Sequence, residues 1–170
     1  MFEMKKFCFL LVVIFLLPFA ASAQQLVQGN LSFLKGQTFL DCSVDFSQAS
    51  ILGMTEDEIA VQEEDWWKDR HNYVGRFYEG LNSKLMKKSL FVGKHGNASY
   101  RAELVVRQVE KNGNMLSEFV ISSTENPEEI LCKIVVSATG GRFGSFLNLL
   151  GDGMEHTGEI LSKYISGQLK

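Results

Sequence analysis

The sequence predicts an α+β two-layer sandwich in the order β-α-β-β-β-α, a mostly antiparallel four-stranded sheet with two helices on one face. Three observations carry that expectation. Four segments alternate apolar and polar residues with a period of two, the pattern of a strand with one buried face. Two longer segments place apolar residues at helical spacing. The last three strand segments are joined by short polar turns, as in an antiparallel meander. A helix must bury its apolar stripe, and a sheet apolar on one face supplies the surface.

The first strand is read over Thr38–Phe46, where Leu40, Cys42, Val44 and Phe46 share one face and Asp41, Ser43 and Asp45 the other. Thr55-Glu56-Asp57-Glu58 is a capping-box sequence, in which Thr55 and Glu58 satisfy each other's free backbone N–H groups. One long helix is expected after it, from about Glu56 to Lys88, acidic at its start and basic at its end in keeping with the helix dipole. Its apolar seam runs Ile59, Trp66, Tyr73 or Val74, Phe77, Leu81 and Leu85. Gly75 and Gly80 each disfavour a helix by about 1 kcal/mol relative to Ala, so a kink or close contact is expected there. Tyr100, Ala102, Leu104 and Val106 begin the meander. Met115–Ser123 follows the turn at Lys111–Asn114, and Ile130–Ala138 follows the turn at Glu125–Glu128. A closing helix carries Phe146, Leu150, Thr157, Ile160, Leu161, Tyr164 and Ile165.

Composition narrows the function classes. The chain has 170 residues, a net charge of −3 and 45% hydrophobic residues, which fits one globular domain rather than a disordered tail. A nucleic-acid backbone calls for a basic surface, and the charge is acidic. Lys5 and Lys6 precede the unbroken apolar run Phe7–Leu17, then Pro18, then Ala21-Ser22-Ala23. That is the order of a secretory signal peptide over residues 1–23, with cleavage between Ala23 and Gln24. The alternative, a membrane anchor, needs roughly 20 apolar residues, and the run is shorter. The organisation expected is a signal peptide (1–23), a lead-in segment (24–35) and a single α+β domain (36–170), exported to the periplasm or beyond. No transmembrane span is expected after cleavage. Losing Glu3, Lys5 and Lys6 takes the net charge to −4. Cys42 and Cys132 remain, both on faces assigned to the core, and are expected as two buried thiols.

Few residues suggest chemistry. Gly140-Gly141-Arg142-Phe143-Gly144-Ser145 opens the last helix. Successive N–H groups at a helix start can cradle an anion, with Arg142 adding charge. The link lacks the Lys-Ser/Thr of a P-loop and the spacing of a dinucleotide fingerprint, and no cofactor is called for. A sharp turn and close packing explain the same glycines. Asp152, Glu155 and His156 share a helical face as three metal ligands would, or as a solvated face does. No nucleophile elbow accompanies His71, His95 or His156. Trp66 and Trp67 point about 100° apart on a helix, so one of them, Trp67, is expected near the surface for stacking or at the rim of the core. Phe143, Phe146, Leu147, Leu149 and Leu150 exceed a single stripe, which makes the surplus, Leu149 included, either core for the long helix or a contact for a partner.

The closing block Gly140–Gly153, with Gly158-Glu159-Ile160-Leu161 and the Tyr100–Val106 strand, resembles uncharacterised secreted proteins of Bacteroidetes-type bacteria. The element order is similar to small envelope domains, the TolB N-terminal domain and CsgG-type domains. The resemblance implies an exported non-catalytic module for protein binding or envelope assembly, with an envelope protein or a second copy as partner. The alternative is an exported hydrolase or small-ligand-binding protein that uses the Gly-rich link and His156.

Overall fold

The computed structural model describes residues 23–169. The signal-peptide segment, with the exception of Ala23, lies outside the described residues. The architecture is α+β, but the sheet has seven strands and is mixed. The strands are β1 (Ala23–Gly29), β2 (Phe39–Asp45), β3 (Ser50–Ile51), β4 (Phe91–Gly93), β5 (Tyr100–Val109), β6 (Met115–Ser123) and β7 (Ile130–Ala138). The helices are α1 (Glu56–Gln62), α2 (Trp66–Leu85) and α3 (Phe146–Gln168). In space the strands run β1-β7-β6-β5-β2-β4, with β3 beside β5.

The expected meander is present, since β5–β6 and β6–β7 are antiparallel. The expected four antiparallel strands are not the whole sheet. β2 lies parallel to both β4 and β5, because the helices between them carry the chain back to its starting end. The segment read as a lead-in starts with a strand: Ala23–Gly29 pairs antiparallel with β7 at the sheet edge. Its polar, bulged sequence shows no alternation to read, and its order comes from β7.

The single long helix expected from Glu56 to Lys88 is two helices and a closing 3-10 turn at Met86–Lys88. The capping box forms as expected, with Thr55 Oγ1 accepting from the Glu58 N–H. The break falls at Glu63-Glu64-Asp65. These carboxylates would crowd the middle of a continuous helix; placed before Trp66 they face the positive end of a new one. Trp66 is then fully buried, and its ring N–H points to Glu56 at 3.4 Å.

Leu104, Phe119 and Ile134 form one row across β5, β6 and β7 on the helix side, all fully buried. The opposite face carries Arg101, Glu103, Arg107, Glu118 and Lys133. On the helix layer, Arg76 meets Asp152 and Glu155, and the Lys84 N–H meets Ser162. Contact positions rise together along both chains, so α2 and α3 run in the same direction. They touch closest at two glycines. A Cβ on Gly80 would strike the Glu155 carbonyl, and one on Gly158 would strike the Phe77 carbonyl.

Candidate functional site

The Gly-rich link is committed to packing. The Gly140 N–H donates to Asn114 Oδ1 at 2.9 Å, and a Cβ there would run into the backbone of Asn112 and Gly113. The start of α3 is capped by its own Ser145 hydroxyl, which accepts from the Asn148 N–H at 3.4 Å. Gly141 lies against Asp152 and Leu149, and Gly144 turns the chain at φ 126°. These glycines seat the helix on the β5–β6 turn, the second of the two readings of the motif. Arg142 and Phe143 project outward from the link, Phe143 being 90% exposed.

The acidic face of α3 is likewise occupied. Arg76 of α2 reaches across to Asp152 Oδ1 and Glu155 Oε2, both at 2.5 Å. Partial burial works against the guanidinium charge, but the hydrogen bonds from both carboxylates outweigh it and hold Arg76 above its ordinary pKa. His156 turns the other way, its Nδ1 lying 2.7 Å from the Thr139 carbonyl. Among the described residues no group of three or more His, Cys, Asp or Glu could hold a metal ion. The structure thus keeps Asp152 and Glu155 together on Arg76 and turns His156 away from them.

Of the surplus apolar residues in α3, Leu150 is fully buried, and Phe146 and Leu147 pack against the core. Leu149 is half-buried on Gly141. Only Phe143 of that cluster stands clear. Trp67 is 53% exposed, as the angular argument required. The Arg70 guanidinium lies 5.5 Å from its ring centre and 5.6 Å from that of Phe46, which ties Trp67 to the rim of the core.

The sequence reading missed the sheet edge formed by β4. There Tyr78 and Asn82, one turn apart on α2, act on backbone that would otherwise be open. The Tyr78 hydroxyl donates to the Cys42 carbonyl at 2.7 Å. The Asn82 amide donates to the Val92 carbonyl at 2.8 Å and accepts from the Val92 N–H at 2.9 Å, as a neighbouring strand would. Burial pushes the Tyr78 phenol up, so it stays a donor. Outside this clamp sits an apolar and aromatic surface. Phe39 lies 6.3 Å from Phe91 and 4.7 Å from His95, ring centre to ring centre, and Met86 is 53% exposed beside them. A shallow cleft joins Tyr78, Asn82, Met86, Phe91 and His95. Neither Arg142 nor His156 lines it, nor the smaller clefts at the β5–β6 turn and on the outer sheet face.

No family model matches the chain, and no curated protein matches it. Solved structures similar in fold include two PelC dodecamers. One is a PelC dodecamer from Paraburkholderia phytofirmans in space group P6, with TM-score 0.47, 13% identity, and coverage of 88% of this chain and 99% of that one. The other is a dodecamer of a PelC variant from the same organism in space group C2, with TM-score 0.48, 15% identity, and coverage of 84% and 95%. These neighbours are PelC rather than TolB or CsgG proteins. Likeness at this level bears on neither site nor assembly. Among the described residues no helix is long and apolar enough to cross a membrane.

Proposed function

We propose that this chain is an exported, non-catalytic module of the cell envelope, periplasmic or associated with the outer membrane, that binds protein or takes part in envelope assembly. Export rests on the order of residues 1–23. The observation that carries the binding role is where the exposed large apolar side chains lie. Of the ten exposed large apolar side chains among the described residues, Phe39, Phe91 and Met86 gather at the β4 edge and Leu26 and Val27 at the β1 edge, each at least 38% exposed. Apolar surface gathered at sheet edges is surface that another chain can cover. In this reading the molecule is a two-layer sandwich whose partners approach its edges. The alternative, a hydrolase or ligand-binding protein built on the Gly-rich link, has less support, since the Gly140 N–H and the His156 ring already have partners within the chain.

A photo-crosslinking residue placed at position 91 in the intact envelope tests the proposal, with position 142 as control. A reproducible protein adduct at 91 and none at 142 is expected. Loss of a measured hydrolytic activity in His156→Ala, with no adduct at 91, would overturn the proposal in favour of the alternative.

A further inference from the structure

We infer that the protein partner is a second copy of this chain, docked head to tail, with the β1 edge of one copy against the β4 edge of the next. The inference rests on the protein-binding reading above and names its partner. Both edges carry exposed apolar side chains, so each offers the other a dry contact. Their net charges are opposite, although the β4 edge also holds one exposed carboxylate, Glu79. Lys87, Lys88 and Lys94 are exposed beside β4, whereas Glu125, Glu128 and Glu129 are exposed in the turn before β7, which pairs with β1.

The two charge sets stand at the same end of the sheet. Thr124 bonds to the carbonyl groups of Ala98 and Ser99, which places the acidic turn level with the loop that follows Lys94. Five strand spacings separate β1 from β4, roughly 24 Å at about 4.8 Å each. One copy cannot bring its own edges together. A second copy laid alongside in the same orientation brings the glutamates of one to the lysines of the other. A two-fold contact through the β4 edge would instead set lysine against lysine. Asn82 already fills the outward backbone groups of Val92, so the contact runs through side chains rather than by lengthening the sheet. Such a contact uses a different patch on each copy and repeats, giving a ring if it closes and a filament if it does not.

Sedimentation of the chain purified as the cell produces it tests the inference. Species larger than a monomer should grow with concentration, and their dissociation constant should rise at least tenfold when salt is raised from about 0.05 M to about 0.5 M. The triple variant Lys87→Glu, Lys88→Glu, Lys94→Glu and the triple variant Glu125→Lys, Glu128→Lys, Glu129→Lys should each be monomeric. All six positions are exposed, and circular dichroism checks that both variants fold. Mixed together, the two variants should associate again, because each then meets an edge of opposite sign. A wild-type oligomer indifferent to both variants would overturn the inference. A monomeric wild type that still gives the position 91 adduct would overturn it too while leaving the protein-binding reading in place. A monomer without an adduct removes both.

Discussion

Asn82 shows how much one side chain can decide at the residue scale. Its amide replaces a missing strand at Val92 and also donates to the Tyr78 carbonyl. Asn82→Ala strips the partners from a buried N–H and C=O pair, with about 1–3 kcal/mol at stake for each group left unsatisfied. We expect a loss of about 2 kcal/mol in urea unfolding, because water can reach part of the edge. Asn82→Asp should be no better: the carboxylate can accept from the Val92 N–H but faces the Val92 carbonyl without a donor. A loss below about 0.5 kcal/mol in both variants would show that the clamp is incidental. The cysteines make a second case. Cys42, Ala102, Ile121 and Cys132 form one row across four adjacent strands. The two thiols are therefore three strand spacings apart, about 14 Å, beyond the roughly 7 Å that a disulfide can bridge. Both are buried and free, as the strand faces implied. Burial pushes the Cys132 thiol up to about 11 and raises Cys42 further, with Asp41 and Glu103 adding to the latter. Both should resist a thiol reagent in the native protein and react once it is unfolded without reductant; reaction in the native state would contradict the burial.

At the scale of the element, the α2–α3 crossing separates glycines that look alike in the sequence. Gly75 and Gly80 carry the same expectation of a kink or close contact. The structure gives the close contact to Gly80 alone, facing Gly158, while nothing lies within 4 Å of a Cβ built on Gly75. Gly158→Ala would drive its methyl into the Phe77 carbonyl and the Leu81 backbone, neither of which can move without parting the helices. The helix-propensity gain of about 1 kcal/mol is small against overpacking, which costs about 1–3 kcal/mol and more when the obstacle is backbone. We expect Gly158→Ala to lower the thermal midpoint and Gly75→Ala to raise it by a few degrees. Equal shifts in one direction would mean that the crossing is looser than its geometry. The break between α1 and α2 teaches a related lesson. The repeat Ile59, Trp66, Tyr73 continues through the break, so periodicity alone could not reveal it. The signal was the acidic run Glu63-Glu64-Asp65, which reads equally as the first third of one helix or as the approach to a second.

For the whole molecule, local patterns were legible and non-local pairings were not. β5, β6 and β7 announce themselves because their turns are short and each strand has a clear inner face. β1, β3 and β4 are too short or too polar to alternate, and they exist because a neighbouring strand supplies their hydrogen bonds. The parallel placement of β2 beside β5 depends on where α2 returns the chain, which no window of sequence records. The candidate surface was hidden for the same reason, since Phe39 and Phe91 are far apart in the chain and meet only through β2–β4 pairing. The outer sheet face follows this rule as well, and it sets the response to acid. Arg107, Glu118 and Lys133 come from three successive strands, and Glu118 accepts from Arg107 at 2.6 Å and from Lys133 at 2.9 Å. Partial burial would raise the Glu118 pKa, but the bonds from Lys133 and Arg107 outweigh it and hold the carboxyl below 4.5. A carboxyl depressed in the folded state stabilises the fold above its unfolded pKa and loses that contribution as pH falls to the folded value. Glu118→Gln should therefore be less stable than wild type at about pH 7 and converge on it as the pH falls through and below the ordinary carboxylate range. Urea unfolding across that range measures the convergence. A constant gap at every pH would assign the Glu118 contribution to packing rather than to charge.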